Sequence, residues 1–260
     1  MLAIISPAKT LDLKSRIPAI APTQPDFLEQ SAELIRLLRQ LSEAEFAALM
    51  NINPKLAELN FERHQSWSLP FSEDNARPAL LTFKGAVFTG FTLDEYTSRD
   101  FDFAQQNLRI LSGLYGILRP LDLIQPYRLE MGTILPNSRG NDLYAFWQDR
   151  LTSSLIEAIK NTGNKTLVNL ASKEYFNALD TAALEAAGIR VLTPWFKDWK
   201  DGTYKFITIY GKKARGMMVD YLIRERLDSQ ESLKFFNTEG YSFNKKLSQG
   251  DELVFTRKKK

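Results

Sequence analysis

Residues 108–132, LRILSGLYGILRPLDLIQPYRLEMG, combine an apolar run with three glycines, two prolines, two tyrosines and three arginines. Gly113 and Gly116 allow a positive φ or a close approach of two backbones, and Pro120 and Pro126 disfavour helix at the residue before them. Core segments rarely contain arginine, and exposed loops rarely contain so many leucines. We therefore expect tight turns inside the protein that direct arginines and tyrosines into a shared cleft. The alternative is a buried connection whose arginines pair with carboxylates.

The composition predicts a globular protein with few options for redox or metal chemistry. The chain has 260 residues, of which 44% are hydrophobic, and we expect a single domain over residues 1–260. It has no cysteine, and His64 is its one histidine. This excludes thiol catalysis, disulfides, cysteine-ligated clusters and histidine-rich zinc sites. Carboxylates alone would hold ferrous iron weakly, so neither a metal nor a cofactor is expected.

Charge and hydropathy give the expected location. The apolar runs are short and interrupted by charge, so we expect no contact with a membrane. The first ten residues, MLAIISPAKT, lack the basic segment and cleavage site of a signal peptide, which predicts a cytoplasmic protein. The net charge is +3, but residues 257–260 contain four of the 34 lysines and arginines. We interpret these four as a disordered basic tail, so nucleic-acid binding requires clustered cations elsewhere.

Hydrophobic spacing predicts the elements that connect these regions. Strands are predicted over residues 2–5, 79–83, 166–170, 190–195, 204–210 and 253–256. Helices are predicted over residues 27–41, 100–111 and 142–160, with others opening near residues 173 and 217.

A helical hairpin is predicted near residues 42–64. Ser42 and Glu45 form a capping box, and the turn Asn51-Ile-Asn53-Pro separates two helical segments. The turn resembles the helix-hairpin-helix motif, in which hairpin N–H groups and the second helix hold a DNA phosphate without reading bases. Two asparagines occupy the places of the usual glycines. We name Asn51, Asn53 and Lys55 as DNA contacts; the alternative is an ordinary packed helical hairpin. His64, on the second helix or just past its end, is expected to be an exposed residue.

Three further segments place anion-binding side chains at the ends of predicted strands. Open α/β sheets bind ligands at the carboxyl ends of their strands, where Ser6 and Lys9 follow the first strand. Asn169, Ser172 and Lys173 follow the strand at 166–170. The run GKKARG (residues 211–216) lies where a strand gives way to a helix. It places three cations in the first turn of that helix, where cations are unfavourable unless an anion is bound. In each case the alternative is a solvated turn or helix face.

Five strings together resemble the YaaA family of bacterial peroxide-stress proteins: SPAKTLD (6–12), LSGLYGILRPLD (111–122), QPYRLEMG (125–132), NLAS (169–172) and KKARG (212–216). The resemblance extends from residue 1 to about residue 257. It implies a mixed α/β (α+β) fold particular to the family, with a central mixed sheet and surrounding helices. It also implies a cytoplasmic protein that keeps unincorporated iron low during peroxide stress and binds DNA through a basic cleft and a helix-hairpin-helix.

Two hypotheses follow. In the first, a monomer binds the backbone of double-stranded or branched DNA, largely without sequence specificity, through Lys9, Asn51, Asn53, Lys55, Arg119, Arg128, Lys173, Lys212, Lys213 and Arg215. In the second, the same basic pocket belongs to an enzyme acting on a phosphorylated or nucleotide-like small molecule. Its residues would be Ser6, Lys9, Tyr115, Tyr127, Arg128, Glu130 and Asn169, with Glu130 as general base. The resemblance provides no firm enzymatic activity, and a deep closed pocket would favour the second hypothesis over a long groove.

Overall fold

A computed structural model of the chain describes residues 1–258. Within that range it has twelve strands: β1 (Leu2–Ile5), β2 (Thr10–Leu11), β3 (Arg77–Pro78), β4 (Phe83–Lys84), β5 (Leu108–Ser112), β6 (Gly116–Leu118), β7 (Leu123–Ile124), β8 (Thr166–Leu170), β9 (Arg190–Lys200), β10 (Thr203–Lys205), β11 (Ser242–Phe243) and β12 (Glu252–Arg257). It has ten α-helices in the same range: α1 (Leu28–Arg39), α2 (Glu43–Met50), α3 (Pro54–Ser66), α4 (Ala79–Thr82), α5 (Ser98–Asn107), α6 (Leu143–Asn161), α7 (Lys173–Phe176), α8 (Thr181–Ala186), α9 (Thr208–Arg224) and α10 (Gln230–Leu233).

A mixed sheet of eight strands forms the centre of the protein. Its order is β11-β12-β9-β8-β1-β5-β6, with β10 paired to the end of β9. The five strands from β12 to β5 run parallel, while β6, β10 and β11 add antiparallel pairs. β1 lies between β8 and β5 and is buried along its length, which suits the uninterrupted apolar sequence LAII. The mixed α/β fold with a central mixed sheet is therefore confirmed.

The segment at residues 108–132 makes the tight internal turns that its glycines predict. It forms β5 beside β1, returns as β6, and then continues as a largely buried loop. Gly116 has φ +71°, and a Cβ at Gly113 would lie 2.3 Å from the carbonyl oxygen of Leu129. Gly113 therefore lets the loop at 127–130 pack directly against the turn between β5 and β6.

A second glycine contact joins α9 to the loop that follows β4. A Cβ on Gly216 would lie 1.8 Å from the carbonyl oxygen of Val87, and one on Gly90 would lie 2.4 Å from that of Lys213. α9 also packs against α5 and the centre of the sheet. The two glycines thus hold residues 85–90 against the part of α9 that contains the basic run.

Replacing Gly216 with alanine should lower the free energy of unfolding by about 1–3 kcal/mol, because the new methyl group forces the two segments apart. The measurement is urea denaturation followed by circular dichroism. Gly132→Ala is the matched control, since its Cβ would meet its neighbours at 3.6 Å, an ordinary contact. Equal stability of the two variants would contradict the role assigned to this contact.

The hairpin at residues 42–64 has the predicted local geometry. Ser42 and Glu45 form the capping box of α2, Asn51 ends α2 in the left-handed conformation, and the side chain of Asn53 caps α3. Pro54 is the first residue of α3. Two short helices joined by a tight turn are therefore confirmed.

Several predicted boundaries are wrong. Residues 79–82 form α4, since Ala79 and Leu80 bond back to the loop at 120–122 and only Phe83 and Lys84 join a strand. The helix predicted to residue 111 ends at Asn107, and β5 follows. The strand predicted over 204–210 stops at Lys205, and α9 begins at Thr208. The basic run therefore lies beyond the first turn of α9, and the argument from an unfavourable first turn does not apply to it.

The end of the chain also differs from expectation. The predicted disordered tail began at Arg257, but Arg257 is the last residue of β12 and only 4% exposed. Its guanidinium donates to Asp198 at 2.7 Å and Glu239 at 2.9 Å. Lys258 follows the strand with its ammonium 5.0 Å from the ring centre of Trp199. Residues 259 and 260 lie outside the described residues.

Among residues 1–258, no helix is both long enough and apolar enough to cross a membrane.

Candidate functional site

A hollow of about 240 Å³ opens at the carboxyl ends of β1 and β8. Segments from five distant parts of the sequence form its walls, and it contains five cationic side chains and two carboxylates. Its lining consists of Ser6, Pro7, Ala8, Lys9, Thr10, Lys84, Gly85, Ala86, Val87, Phe88, Tyr127, Arg128, Leu129, Glu130, Ser172, Glu174, Tyr175, Lys212 and Arg215.

Two serines join the ends of the parallel strands at the base of this site. The hydroxyl of Ser6 accepts the backbone N–H of Ser172 at 2.9 Å and donates to the Ser172 hydroxyl at 3.2 Å. Ser172 does not cap α7 with its side chain. The pair therefore fixes the turn after β8 against the turn after β1, as expected for a ligand site at the carboxyl edge of a parallel sheet.

Glu130 holds two of the cations. One carboxylate oxygen accepts from Arg128 at 2.9 Å, and the other accepts from the ammonium of Lys9 at 2.8 Å. Lys9 is 60% exposed in its side chain, whereas that of Arg128 is only 13% exposed. The Nε–H of Arg128 is buried and forms no hydrogen bond within residues 1–258. Glu130 thus offsets part of the positive charge, and both of its oxygens are already engaged.

Lys212 and Arg215 lie three residues apart on α9 and both line the hollow. In the described part of the chain, neither forms an ion pair or a side-chain hydrogen bond. Arg215 is partly buried, and this burial lowers the pKa of its guanidinium. Removing a guanidinium from water without a partner costs free energy. An anion in the hollow would supply that partner.

Aromatic side chains provide much of the remaining wall. Phe88, Tyr127 and Tyr175 are each less than 10% exposed, and each contributes to the lining. Tyr127 and Ser112 share a hydrogen bond of 2.7 Å between their hydroxyls. Burial raises the pKa of Tyr127 and of Tyr175 well above the ordinary value, so both phenols are neutral at physiological pH.

The turn between α2 and α3 reaches a neighbouring hollow of about 400 Å³. Asn51 lines it, together with Leu49, Met50, Gly132, Thr133, Ile134, Glu130 and Glu174. Glu130 and Glu174 line both hollows, so two carboxylates lie between the helical hairpin and the basic site. The side chains of Asn53 and Lys55 are exposed at the start of α3, and Asn53 accepts the N–H of Leu56 at 2.9 Å.

The structure brings only some of the predicted residues together. Ser6, Lys9, Tyr127, Arg128, Glu130, Lys212 and Arg215 share the hollow. Lys173 is exposed at the start of α7 but is not part of the lining. Lys213 pairs with Glu239. Arg119 lies away from the hollow because it pairs with Asp26 and Asp122, and Arg109 bonds to the carbonyls of Gln105 and Leu108.

Tyr115 and Asn169, which were assigned to the alternative pocket, hold the surrounding structure. The hydroxyl of Tyr115 donates to the carbonyl of Gln125 and accepts from Trp67, both within 3.1 Å. The side-chain oxygen of Asn169 accepts the N–H of Ala171 at 3.1 Å. Both residues are buried and outside the lining. The hydroxyl of Tyr115 and the side-chain oxygen of Asn169 thus form their hydrogen bonds within the fold.

Sequence reasoning missed Lys84, Glu174 and Tyr175 as lining residues. Lys84 is the second residue of β4, a two-residue strand that no periodicity distinguishes, and it is held by Asp12 at 3.4 Å. Glu174 and Tyr175 were interpreted only as the start of a helix. Their position was the available signal, because Glu174 and Tyr175 come shortly after the carboxyl end of a parallel strand, in the segment that follows Ser172. Within the described residues, no three histidine or carboxylate side chains gather as a metal-ligand set.

The interpretation of His64 as an exposed residue is wrong. His64 is 1% exposed on the inner face of α3, where its ring packs edge-on against Phe46. Its Nε2 faces the backbone N–H of Arg128 at 3.4 Å. Burial lowers the pKa of His64 to about 4, and the nearby Arg63 and Arg39 contribute to the shift. His64 therefore joins the helical hairpin to the loop that supplies Arg128 and Glu130.

The family model described as "Peroxide stress protein YaaA" matches residues 1–247. The chain belongs to the YaaA family of peroxide stress proteins. A YaaA relative named UPF0246 protein, from Saccharophagus degradans, is 53% identical over 258 residues, covering 99% of this chain and all of the relative. A second, from Hahella chejuensis, is 52% identical over 259 residues and 99% of both chains. A third, from Teredinibacter turnerae, is 49% identical over 258 residues, covering 99% of this chain and all of the relative.

The strings that resemble the YaaA family supply most of the hollow. SPAKTLD provides Ser6 and Lys9, QPYRLEMG provides Arg128 and Glu130, and KKARG provides Lys212 and Arg215. The string LSGLYGILRPLD provides none of the lining. It forms the turn against which the loop at 127–130 packs, so its contribution to the YaaA fold is structural.

Proposed function

We propose that this chain is a cytoplasmic, monomeric peroxide-stress protein that binds DNA through its phosphate backbone, largely without sequence preference. It also helps limit oxidative damage linked to free intracellular iron. The observation that supports the proposal best is the pair Lys212 and Arg215, which line the hollow and, among residues 1–258, are bound by no carboxylate. Cations in such a position are suited to a phosphate.

The helical hairpin supports the same proposal. The backbone N–H groups of Asn53 and Lys55 form no hydrogen bond within the described residues, and the side chain of Lys55 is exposed beside them. The first turn of α3 contains no acidic residue. N–H groups at the positive end of a helix, next to a lysine, favour a phosphate oxygen. We therefore place a second phosphate contact at Asn51, Asn53 and Lys55, with Lys173 as a further exposed cation.

The test is a titration of the full chain with duplex, single-stranded and branched DNA at several salt concentrations. Each phosphate contact contributes about 0.9 to the slope of log affinity against log salt on duplex DNA. Contacts at α9 and at the hairpin together predict a slope magnitude of at least about 3. Binding that does not change with salt, or no binding to any of the three, would overturn the proposal.

Replacing Glu130 is expected to strengthen DNA binding. Glu130→Gln removes the carboxylate that separates the two proposed phosphate contacts and releases Lys9 and Arg128. We expect duplex affinity to rise about three- to tenfold, because a like charge near the DNA backbone is lost and two cations gain freedom to bind it. Glu185→Gln, an exposed change of equal charge on α8, is the control. Weaker binding by the Glu130 variant would contradict the placement of DNA here.

The limited volume of the hollow favours a second candidate, an enzyme acting on a phosphorylated or nucleotide-like small molecule. Ser6, Lys9, Arg128 and Glu130 converge in about 240 Å³, the scale of a small ligand and not of a groove. In this case Glu130 is the general base, and Glu130→Gln abolishes turnover while DNA affinity stays constant. The same variant therefore separates the two candidates.

A further inference from the structure

We propose that the hollow accommodates one nucleotide turned out of the bound DNA, with its phosphate at Lys212 and Arg215 and its base against the aromatic wall. This inference rests on the proposed DNA binding and names the part of the DNA that enters the site. The nucleotide is extrahelical or unpaired, so the hollow should favour DNA that contains such a nucleotide over fully paired DNA.

The size of the hollow is the first argument. Its volume is about 240 Å³, somewhat below the roughly 300–1,000 Å³ of pockets that enclose whole drug-sized ligands. A duplex cannot enter such a space, because its major groove alone is about 12 Å wide. One nucleotide is a component of DNA that matches this scale.

The chemistry of the lining is the second argument. Phe88, Tyr127 and Tyr175 contribute aromatic surface, and the phenol groups of the two tyrosines are buried and neutral. Lys212 and Arg215 contribute positive charge with no acid bound to either in the described part of the chain. Proteins that hold extrahelical bases combine these features, with stacking on apolar or aromatic side chains and polar contacts to the edge of the base. A site that binds only phosphate does not need three aromatic side chains in its lining.

A polar contact for the base edge is available in the same hollow. One oxygen of Glu174 accepts the N–H of Gly132 at 3.1 Å, and its other oxygen forms no hydrogen bond within residues 1–258. Carboxylates accept from the exocyclic amino groups of bases. A hydrogen bond from the amino group of a base would thus explain why the carboxylate of Glu174 lines a site whose cations attract anions.

The first experiment compares a fully paired duplex with one that contains a single unpaired nucleotide, made as a fluorescent adenine analogue. A paired nucleotide must first be unstacked, so we expect the full chain to bind the unpaired duplex about tenfold or more tightly. The fluorescence of the analogue should change on binding. Equal affinity for both duplexes with unchanged fluorescence would overturn the inference while leaving the DNA binding in place. Absence of binding to either duplex would instead overturn the proposed function itself.

A variant that fills the hollow without changing charge makes the test specific. Ala86 lines the hollow and is partly exposed. Ala86→Phe should remove the preference for the unpaired duplex, so that the variant binds the unpaired and the paired duplex with equal affinity. Thr10→Phe, at an exposed lining position, is a second filling variant in case the first disturbs folding. A preference that survives in a folded filling variant would contradict the inference.

Competition with a free deoxynucleoside monophosphate distinguishes a nucleotide within DNA from a free small molecule as the ligand of the hollow. We expect it to compete weakly with the unpaired duplex, because the duplex also engages the hairpin contacts. Binding of the free nucleotide as tight as that of the unpaired duplex would assign the hollow to a small-molecule ligand and overturn the inference.

Discussion

Replacing Lys212 and Arg215 together with alanine is expected to weaken duplex DNA binding about 10- to 60-fold at about 0.1 M salt and to lower the slope magnitude by about 1.8. The expectation follows from the loss of two phosphate contacts, each of which releases counterions when it forms. Neither side chain pairs with an acid inside the described structure, so the folded state loses no ion pair with them. The measurement is fluorescence anisotropy over a series of salt concentrations.

The matched control is Lys245→Ala with Lys246→Ala, an equal change of charge on the exposed loop between β11 and β12. It should alter the salt slope by less than about 0.45, which is half the contribution of one phosphate contact. Lys213→Ala is a second comparison, because Lys213 is already paired with Glu239. If all three variants weaken binding equally, net charge and not the hollow determines the affinity.

Acidification is expected to destabilise the protein through His64. The folded pKa of about 4 lies below the ordinary value of about 6.5, so between these values the unfolded chain binds the additional proton. Stability from this group is therefore complete above about pH 6.5 and is lost as the pH falls towards 4. The expected loss is about 2 kcal/mol by pH 5 and about 3 kcal/mol in all. Urea denaturation at half-unit intervals of pH measures it.

The control is His64→Gln, which keeps an acceptor near the N–H of Arg128 but does not titrate. Its stability should be nearly constant between pH 7 and about 5. Carboxylates such as Glu45, whose pKa is lowered by hydrogen bonds from Ser42, lose their contribution only at lower pH. A native chain whose stability does not change over the upper range would show that His64 is protonated at little cost.

The sequence predicts well those features that depend on neighbouring residues. The capping box at Ser42 and Glu45, the left-handed turn at Asn51 and proline at the start of α3 are decided by local backbone chemistry, and all are found. The apolar run at residues 2–5 likewise predicts a buried strand, and β1 is buried along its length. Gly113 and Gly116 indicate tight internal turns because no other residue fits there without strain.

What the sequence could not predict depends on partners far along the chain. Arg119 and Arg128 occur in the same stretch with similar neighbours, but Asp26 and Asp122 hold the first and the fold directs the second into the hollow. His64 appears polar in sequence, and only the packing of α3 against Phe46 and the loop at 127–130 buries it. For Lys212 and Arg215, the hypothesis of an anion site persists even though α9 begins earlier than expected.

The position of β12 has a consequence for how the protein is made. β12 is the last strand in sequence, yet it lies between β11 and β9 and pairs in parallel with six residues of β9. During translation, most of β9 therefore lacks this neighbour until residues 252–257 have left the ribosome. Asp198 also lacks its ion-pair partner, Arg257, until then. This half of the sheet can therefore close only after residues 252–257 have been made, well after the whole of β9.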